Sequence, residues 1–106
     1  MQRDYLKIQN EQEELSIGIN FGYLDRVAGV FDFQRNKPQN ITAYKLSLDI
    51  ENTSSDTLRE FDSIIKSENK SINAVVSLDG IVSKGKAKIA QVFSFNGVSY
   101  DVEIVN

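Results

Sequence analysis

The side chains that could do chemistry in this 106-residue chain are carboxylates, serines, lysines and tyrosines, because the sequence contains no histidine, cysteine or tryptophan. Zinc sites, disulfides, iron–sulfur clusters and catalysis by cysteine or histidine all require residues that are missing. An enzyme would be left with a carboxylate pair, a serine–lysine pair or a tyrosine. We expect no catalytic residues and no cofactor, because the aspartates are scattered over predicted turns and outward positions: Asp32, Asp49, Asp62, Asp79 and Asp101.

Residues 49–60 place oxygen-bearing side chains at several of the spacings used by a calcium-binding EF-hand loop. They depart from that loop where its geometry is strict. Ser54 stands in place of the turn glycine, and Asp56 in place of an apolar residue. The end of a strand followed by a helix N-cap explains the same residues, so we expect no metal site.

The most suggestive polar pattern is a set of evenly spaced lysines: Lys84, Lys86 and Lys88. The spacing puts them on one face of an extended strand, close in sequence to Phe93, Phe95 and Tyr100. A cationic stripe beside aromatic residues is typical of proteins that bind single-stranded nucleic acid or another anion. The alternative is a solvated edge that discourages aggregation, with the aromatic residues in the core. The net charge of −3 disfavours nucleic acid, because its partners usually carry a basic face.

The most apolar short run before the predicted helix lies at residues 27–33. Both faces of a strand with this sequence would carry apolar groups. Such a strand either lies in the middle of a core, which is the ordinary case, or meets a partner chain. The candidate interface residues are Val27, Val30, Phe31 and Phe33.

Alternation of apolar and polar residues predicts strands over most of the chain. A turn at residues 23–26 separates the first two long strands, and a loop at 35–40 holds the only proline. Asp79-Gly80 predicts a type I′ turn, and Asn96-Gly97 predicts a hairpin that pairs Phe93 with Tyr100. The first fourteen residues are the most polar stretch, a partly ordered segment with one short strand at most. The predicted strands are 15–22, 27–33, 41–52, 72–78 with its continuation at 81–82 after the turn, and the two sides of the last hairpin.

The period changes after residue 52 and predicts a single helix over about 55–68. Thr57 and Glu60 fit a capping box at its start. The apolar positions Leu58, Phe61 and Ile65 recur at helical spacing.

The chain is long enough for one domain, residues 1–106, and we assign it to the α+β class. We expect a β-rich small antiparallel barrel or sandwich of six to eight strands, with one amphipathic helix at mid-chain. The predicted core is Leu46, Leu48, Ile50, Leu58, Phe61, Ile65, Val76, Phe93, Phe95, Tyr100 and Val102.

Three strands, a helix and then further strands resembles the order of elements in OB-fold barrels, many of which bind single strands or oligosaccharides. This chain departs from them by about two extra strands and by lacking a basic face. The same order also resembles the small tube-forming proteins of contractile phage tails and type VI secretion systems, which are barrels with one flanking helix that assemble as rings. Both resemblances rest on strand order and size.

We therefore expect a non-enzymatic interaction or assembly module, whose partner is another protein or a second copy of itself. An OB-like binder of single-stranded nucleic acid and a small barrel holding an apolar ligand are the alternatives. The first residues lack the apolar segment of a secretion signal, and no apolar run is long enough to span a bilayer. We expect a cytoplasmic protein without a membrane partner.

Overall fold

A computed structural model describes residues 4–9, 13–67, 72–95 and 97–105. Within them the elements are β1 (Tyr5–Gln9), β2 (Glu14–Asp32), β3 (Lys37–Leu48), α1 (Ser55–Ser67), β4 (Ile72–Leu78), β5 (Ile81–Ser94) and β6 (Gly97–Val105). The six antiparallel strands close into a barrel in the order β1-β2-β3-β6-β5-β4, and β4 pairs back with β1. The predicted fold class, β-rich α+β with one mid-chain helix, is confirmed, and its form is a barrel.

The barrel interior is filled by apolar side chains from all six strands. The predicted core is confirmed at Leu46, Leu48, Phe61, Val76, Tyr100 and Val102, whereas Leu58 and Ile65 are half-buried. It is wrong at Ile50, Phe93 and Phe95, which are exposed. Further core residues outside that predicted list include Leu6, Ile8, Ile17, Ile19, Tyr44, Ile72, Ala74, Ala87 and Ile104.

The N-terminal segment contributes more to the barrel than its polarity predicts. Leu6 and Ile8 in β1 are each 1% exposed. β1 pairs on one side with β2 and on the other with β4, so this short strand closes the barrel. Residues 1–3 and 10–12 of the predicted polar segment lie outside the described residues.

The turn predicted at residues 23–26 is wrong, because β2 runs as one 19-residue strand. The pairing of β2 with β3 is interrupted by two bulges, one between Ile19 and Phe21 and one between Leu24 and Arg26. Each adds one residue against β3 and so changes which side chains face inward. Gly22 faces the interior, where an added Cβ would stand 2.7 Å from Leu46 Cδ2. This close approach explains a glycine inside the strand.

The helix begins at Ser55, as predicted, but its N-cap lies three residues before the Thr57 of the predicted capping box. Ser54 Oγ accepts a hydrogen bond from the Thr57 backbone N–H at 3.2 Å, so Ser54 is the N-cap. Phe61 is 1% exposed and meets the Tyr100 ring edge-on, with centroids 5.4 Å apart. The helix follows β3 and precedes β4, so it lies at the barrel end where β6 begins. Residue 68, its predicted last residue, lies outside the described residues.

Of the two predicted tight turns, the first is confirmed, and the hairpin of the second has a different register. Asp79 and Gly80 have φ of 54° and 80°, as the type I′ turn requires. The last hairpin, in contrast, pairs Phe93 with Val98 and Gln91 with Tyr100, two residues away from the predicted register. Asn96 lies outside the described residues. Among the described residues, no helix has the length and apolarity that crossing a bilayer requires.

Candidate interaction surfaces

Two hairpins extend beyond the closed part of the barrel at opposite ends of the molecule. Ile41 on β3 pairs with Ala28 and with Val105, the last residue of β6, so residues 29–40 reach past the end of β6, with Val27 and Ala28 at their base. We call residues 27–40 the long arm. β6 runs antiparallel to β3, so the turn between β5 and β6 lies at the other end, beside α1. We call residues 92–95 and 97–98 the short tip.

The long arm holds all four candidate interface residues, and each of them is exposed. The exposed fractions are Val27 64%, Val30 47%, Phe31 45% and Phe33 85%. Burial in the core, the ordinary interpretation of this run, is therefore wrong. The arm has a defined end: Asp32 Oδ1 accepts hydrogen bonds from the backbone N–H groups of Gln34 and Arg35, and Phe31 packs edge-on against Phe33 with centroids 4.8 Å apart.

The short tip exposes the two phenylalanines that were predicted to be buried. Phe93 is 74% exposed, and Phe95 is as exposed as in an extended chain. The two-residue difference in register is the physical reason, since it moves both side chains away from the interior and toward the turn. The tip and the long arm thus both present aromatic side chains, at opposite ends of the barrel.

The three lysines lie where their spacing predicts, side by side on the outer face of β5, and all are exposed. Lys84 on β5 lies opposite Val75 on β4, and Val75 in turn lies opposite Lys7 on β1. Lys7 forms an ion pair with Glu14 at 3.3 Å. Lys88 lies opposite Glu103, whose carboxylate forms an ion pair with Arg26 at 2.5 Å. Because successive side chains of a strand alternate between faces, Phe93 lies on the opposite face from the lysines.

The EF-hand-like segment forms the wall of a polar depression with a volume of about 350 Å³. Asp49, predicted to face outward, is 8% exposed and accepts two hydrogen bonds from the Asn52 side chain. Thr53, Ser54 and Thr57 line the same depression with hydroxyl groups. The structure therefore uses these residues to join β3 to the helix. In the described part of the chain, no three or more His, Cys, Asp or Glu side chains come together as metal ligands would.

The buried polar groups of the barrel serve its structure. Burial raises the pKa of the Tyr100 phenol, whose hydroxyl accepts a hydrogen bond from Gln91 Nε2 at 3.2 Å. The Tyr44 and Ser83 hydroxyls lie 2.8 Å apart and bridge β3 and β5. Asp101 Oδ1 is buried and has no hydrogen-bond partner among the described residues. On the neighbouring strand β3, Lys45 lies directly opposite Asp101.

Comparison with protein-family models, curated proteins and solved structures found no match to this chain. The surfaces themselves therefore carry the functional inference. Sequence patterns missed one of them: Phe21 alternates with Ile17 and Ile19 and so resembles a core residue, yet it is 67% exposed. The bulge after Ile19 turns it outward, where it meets Tyr23 edge-on with centroids 6.1 Å apart.

Proposed function

We propose that this protein is a non-enzymatic structural subunit that associates with further copies of itself. The observation that carries the proposal is the exposure of aromatic and β-branched side chains on two hairpins that project from opposite ends of a filled barrel. Large apolar patches on a folded surface mark sites of protein contact. The resemblance of its element order to ring-forming tail and secretion-tube proteins supports the same function.

The long arm carries apolar surface whose burial would favour association. Burying a large apolar side chain contributes roughly 1.5–3 kcal/mol. The four arm residues Val27, Val30, Phe31 and Phe33 together offset much of the cost of association, which is on the order of 4–15 kcal/mol. The two ends of the molecule carry different hairpins, so a contact between unlike ends is heterologous. Contacts of this type form rings when they close and filaments when they do not.

The proposal is tested by the oligomeric state of the purified protein across a wide concentration range. Light scattering behind a sizing column and sedimentation velocity should show species larger than a monomer, increasing with concentration. The double variant Phe31→Ser, Phe33→Ser should shift the protein toward monomer without changing its unfolding midpoint in urea, measured at a concentration where both proteins are monomeric. Ile50→Ser is the matched control, because Ile50 is an exposed apolar residue outside both hairpins. A wild-type protein that stays monomeric at millimolar concentration would contradict the proposal.

Binding of single-stranded nucleic acid is the second candidate, and the outward row of Lys84, Lys86 and Lys88 favours it. The nearest exposed tip aromatic on β5, Phe93, faces the other way, so the lysines and that ring do not form one continuous surface. Retention on immobilised oligo-dT at low salt, lost when all three lysines are changed to alanine, would support this function. Absence of retention at low salt would remove it.

An apolar ligand inside the barrel is the least favoured candidate. The described strands fill the interior with their own side chains, among them Val76, Val102 and Ile104, each fully buried. The depression beside the helix is lined by hydroxyl and carboxylate groups. Neither feature suits an apolar molecule.

A further inference from the structure

The barrel end that carries the long arm exposes side chains that point toward the interior. Leu24 lies opposite the buried Tyr44, and Ile81 lies opposite the buried Leu78, so both are on the inner face of the barrel. Leu24 is nevertheless 50% exposed and Ile81 69% exposed. At the other end the helix packs on the interior, and its Phe61 is 1% exposed. Solvent therefore reaches the inner face of the barrel at the arm end.

Two hairpins face each other at this end of the ring. β1 separates β2 from β4, and β6 separates β3 from β5, so the β2–β3 and β4–β5 hairpins lie across the six-stranded barrel from one another. β2 and β4 both run antiparallel to β1, which places their turns at the same end. Val27 and Phe31 continue the inner face along the arm, because their partners Thr42 and Pro38 are an even number of residues from Tyr44. We call these inward-facing residues the open rim: Leu24, Val27, Phe31 and Ile81.

We infer that the short tip of one copy inserts into the open rim of the next, so that successive copies stack head to tail. This inference rests on the proposed self-association and identifies its contact. The tip lies at the opposite end of the molecule from the rim and exposes Phe93 and Phe95. Each copy therefore offers one tip and one rim, and copies in the same orientation bring the two together. The contact is heterologous, as a repeating series of copies requires.

The short tip fits the open rim better than the long arm of a second copy does. From residue 89 to residue 100 the sequence carries no charged side chain. The long arm, in contrast, carries Asp32, Arg35 and Lys37 at its end. An arm that entered an apolar rim would remove these charges from water, a cost that an uncharged tip avoids. The two tip phenylalanines instead pack against the aliphatic and aromatic side chains of the rim.

The charges around this contact are complementary. The arm exposes Arg35 and Lys37, the first of which also pairs with Asp32 at 3.7 Å. The helix lies at the same end of the molecule as the tip, and residues 51–60 expose three acidic side chains and one basic one. Entry of a tip into the rim brings that acidic segment near the cationic arm of the next copy. Opposite charges on two surfaces favour the correct partner and speed the encounter.

The test mixes two variants that each lack one half of the contact. Phe93→Ser, Phe95→Ser removes the tip and keeps the rim, whereas Ile81→Glu places a charge in the rim and keeps the tip. These side chains are exposed, so both variants should keep the wild-type unfolding midpoint in urea, measured where the proteins are monomeric. We expect each variant alone to associate about tenfold or more weakly than the wild type in sedimentation velocity.

An equimolar mixture of the two variants should form complexes of two copies and no larger species. The intact tip of the Ile81→Glu protein enters the intact rim of the tip variant, and no further tip and rim remain to extend the complex. Phe21→Glu is the matched control for the rim variant, because Phe21 is 67% exposed but faces the outside of the barrel. It should associate like the wild type, and an equal loss in both glutamate variants would overturn the inference.

The outcomes separate this contact from the proposed function. If the protein self-associates but the two variants form no mixed complex, the contact between tip and rim is wrong and the structural-subunit proposal stands. A wild-type protein that stays monomeric would contradict both. Association of the tip variant with itself at wild-type strength would show that the tip is not needed, and it would also overturn the inference.

Discussion

Phe61 on the helix and Phe93 on the short tip are the same residue type in two regions of this molecule that differ in burial. Phe61 is 1% exposed and packs against Tyr100, whereas Phe93 is 74% exposed. The barrel with its helix encloses apolar side chains on every side, while the hairpin ends hold them out in water. This difference separates residues that stabilise the single chain from residues available to another chain, and substitutions in the two regions should therefore have different effects.

The largest effect is expected from Phe61→Ala. Truncating a fully buried phenylalanine removes its burial and leaves a cavity, at a cost of about 3–5 kcal/mol in the free energy of unfolding. This is a large part of a typical total of roughly 5–15 kcal/mol. Urea unfolding followed by circular dichroism, at a concentration where the protein is monomeric, measures the loss.

Phe93→Ala is the matched control for that substitution. Because Phe93 lies mostly in solvent, its truncation should change the unfolding free energy by less than about 0.5 kcal/mol. If Phe61→Ala and Phe93→Ala lowered the free energy of unfolding equally, Phe93 would be a core residue and the contrast between barrel and tip would be wrong.

The second effect contrasts two glycines, one in each region. At Gly85 an added methyl group would overlap the Val105 carbonyl oxygen, where β5 and β6 meet in the barrel wall. At Gly29 on the long arm the nearest atom would be Asn40 Oδ1 at 3.8 Å, an ordinary contact. Gly85→Ala should cost about 1–3 kcal/mol through displacement of the backbone. Gly29→Ala should leave the unfolding midpoint nearly unchanged, and a loss there as large as at Gly85 would mean that the arm is packed as tightly as the wall.

The features that sequence could predict are those fixed by local chemistry. The Asp79-Gly80 turn follows from two residues that tolerate positive φ, and both adopt it. The helix follows from its apolar spacing, and its observed start at Ser55 agrees with the predicted start. The mid-chain position of one helix among antiparallel strands was sufficient for the fold class.

The features that sequence could not predict depend on contacts between distant segments. Gly18 and Gly22 indicate a bulge, a bend or a close backbone approach in this strand, but they do not indicate which side chains change face at the bulge after Ile19, which turns Phe21 outward. The register of the last hairpin places Phe93 beside Val98, although the predicted register sorts apolar residues between faces equally well. A slip of two residues preserves the faces of a strand and changes only how far each residue lies from the turn. The exposure of the short tip follows from the second difference, whereas that of the long arm follows from β2 and β3 extending past the end of β6.

The smallest effect is expected at the helix start, which ties the helix to the barrel. Ser54→Ala removes the side-chain acceptor of the Thr57 N–H and should cost about 1 kcal/mol. Ser63→Ala is the control, because Ser63 is exposed within the helix, where alanine is the better helix former. We expect its unfolding free energy to be unchanged or slightly higher. If the helix belongs to the stabilising region, the Ser54 variant also leaves self-association of the folded protein intact, since neither hairpin contains the cap. Weaker self-association of this variant, measured by sedimentation under folding conditions, would instead make the helix start part of the contact between copies.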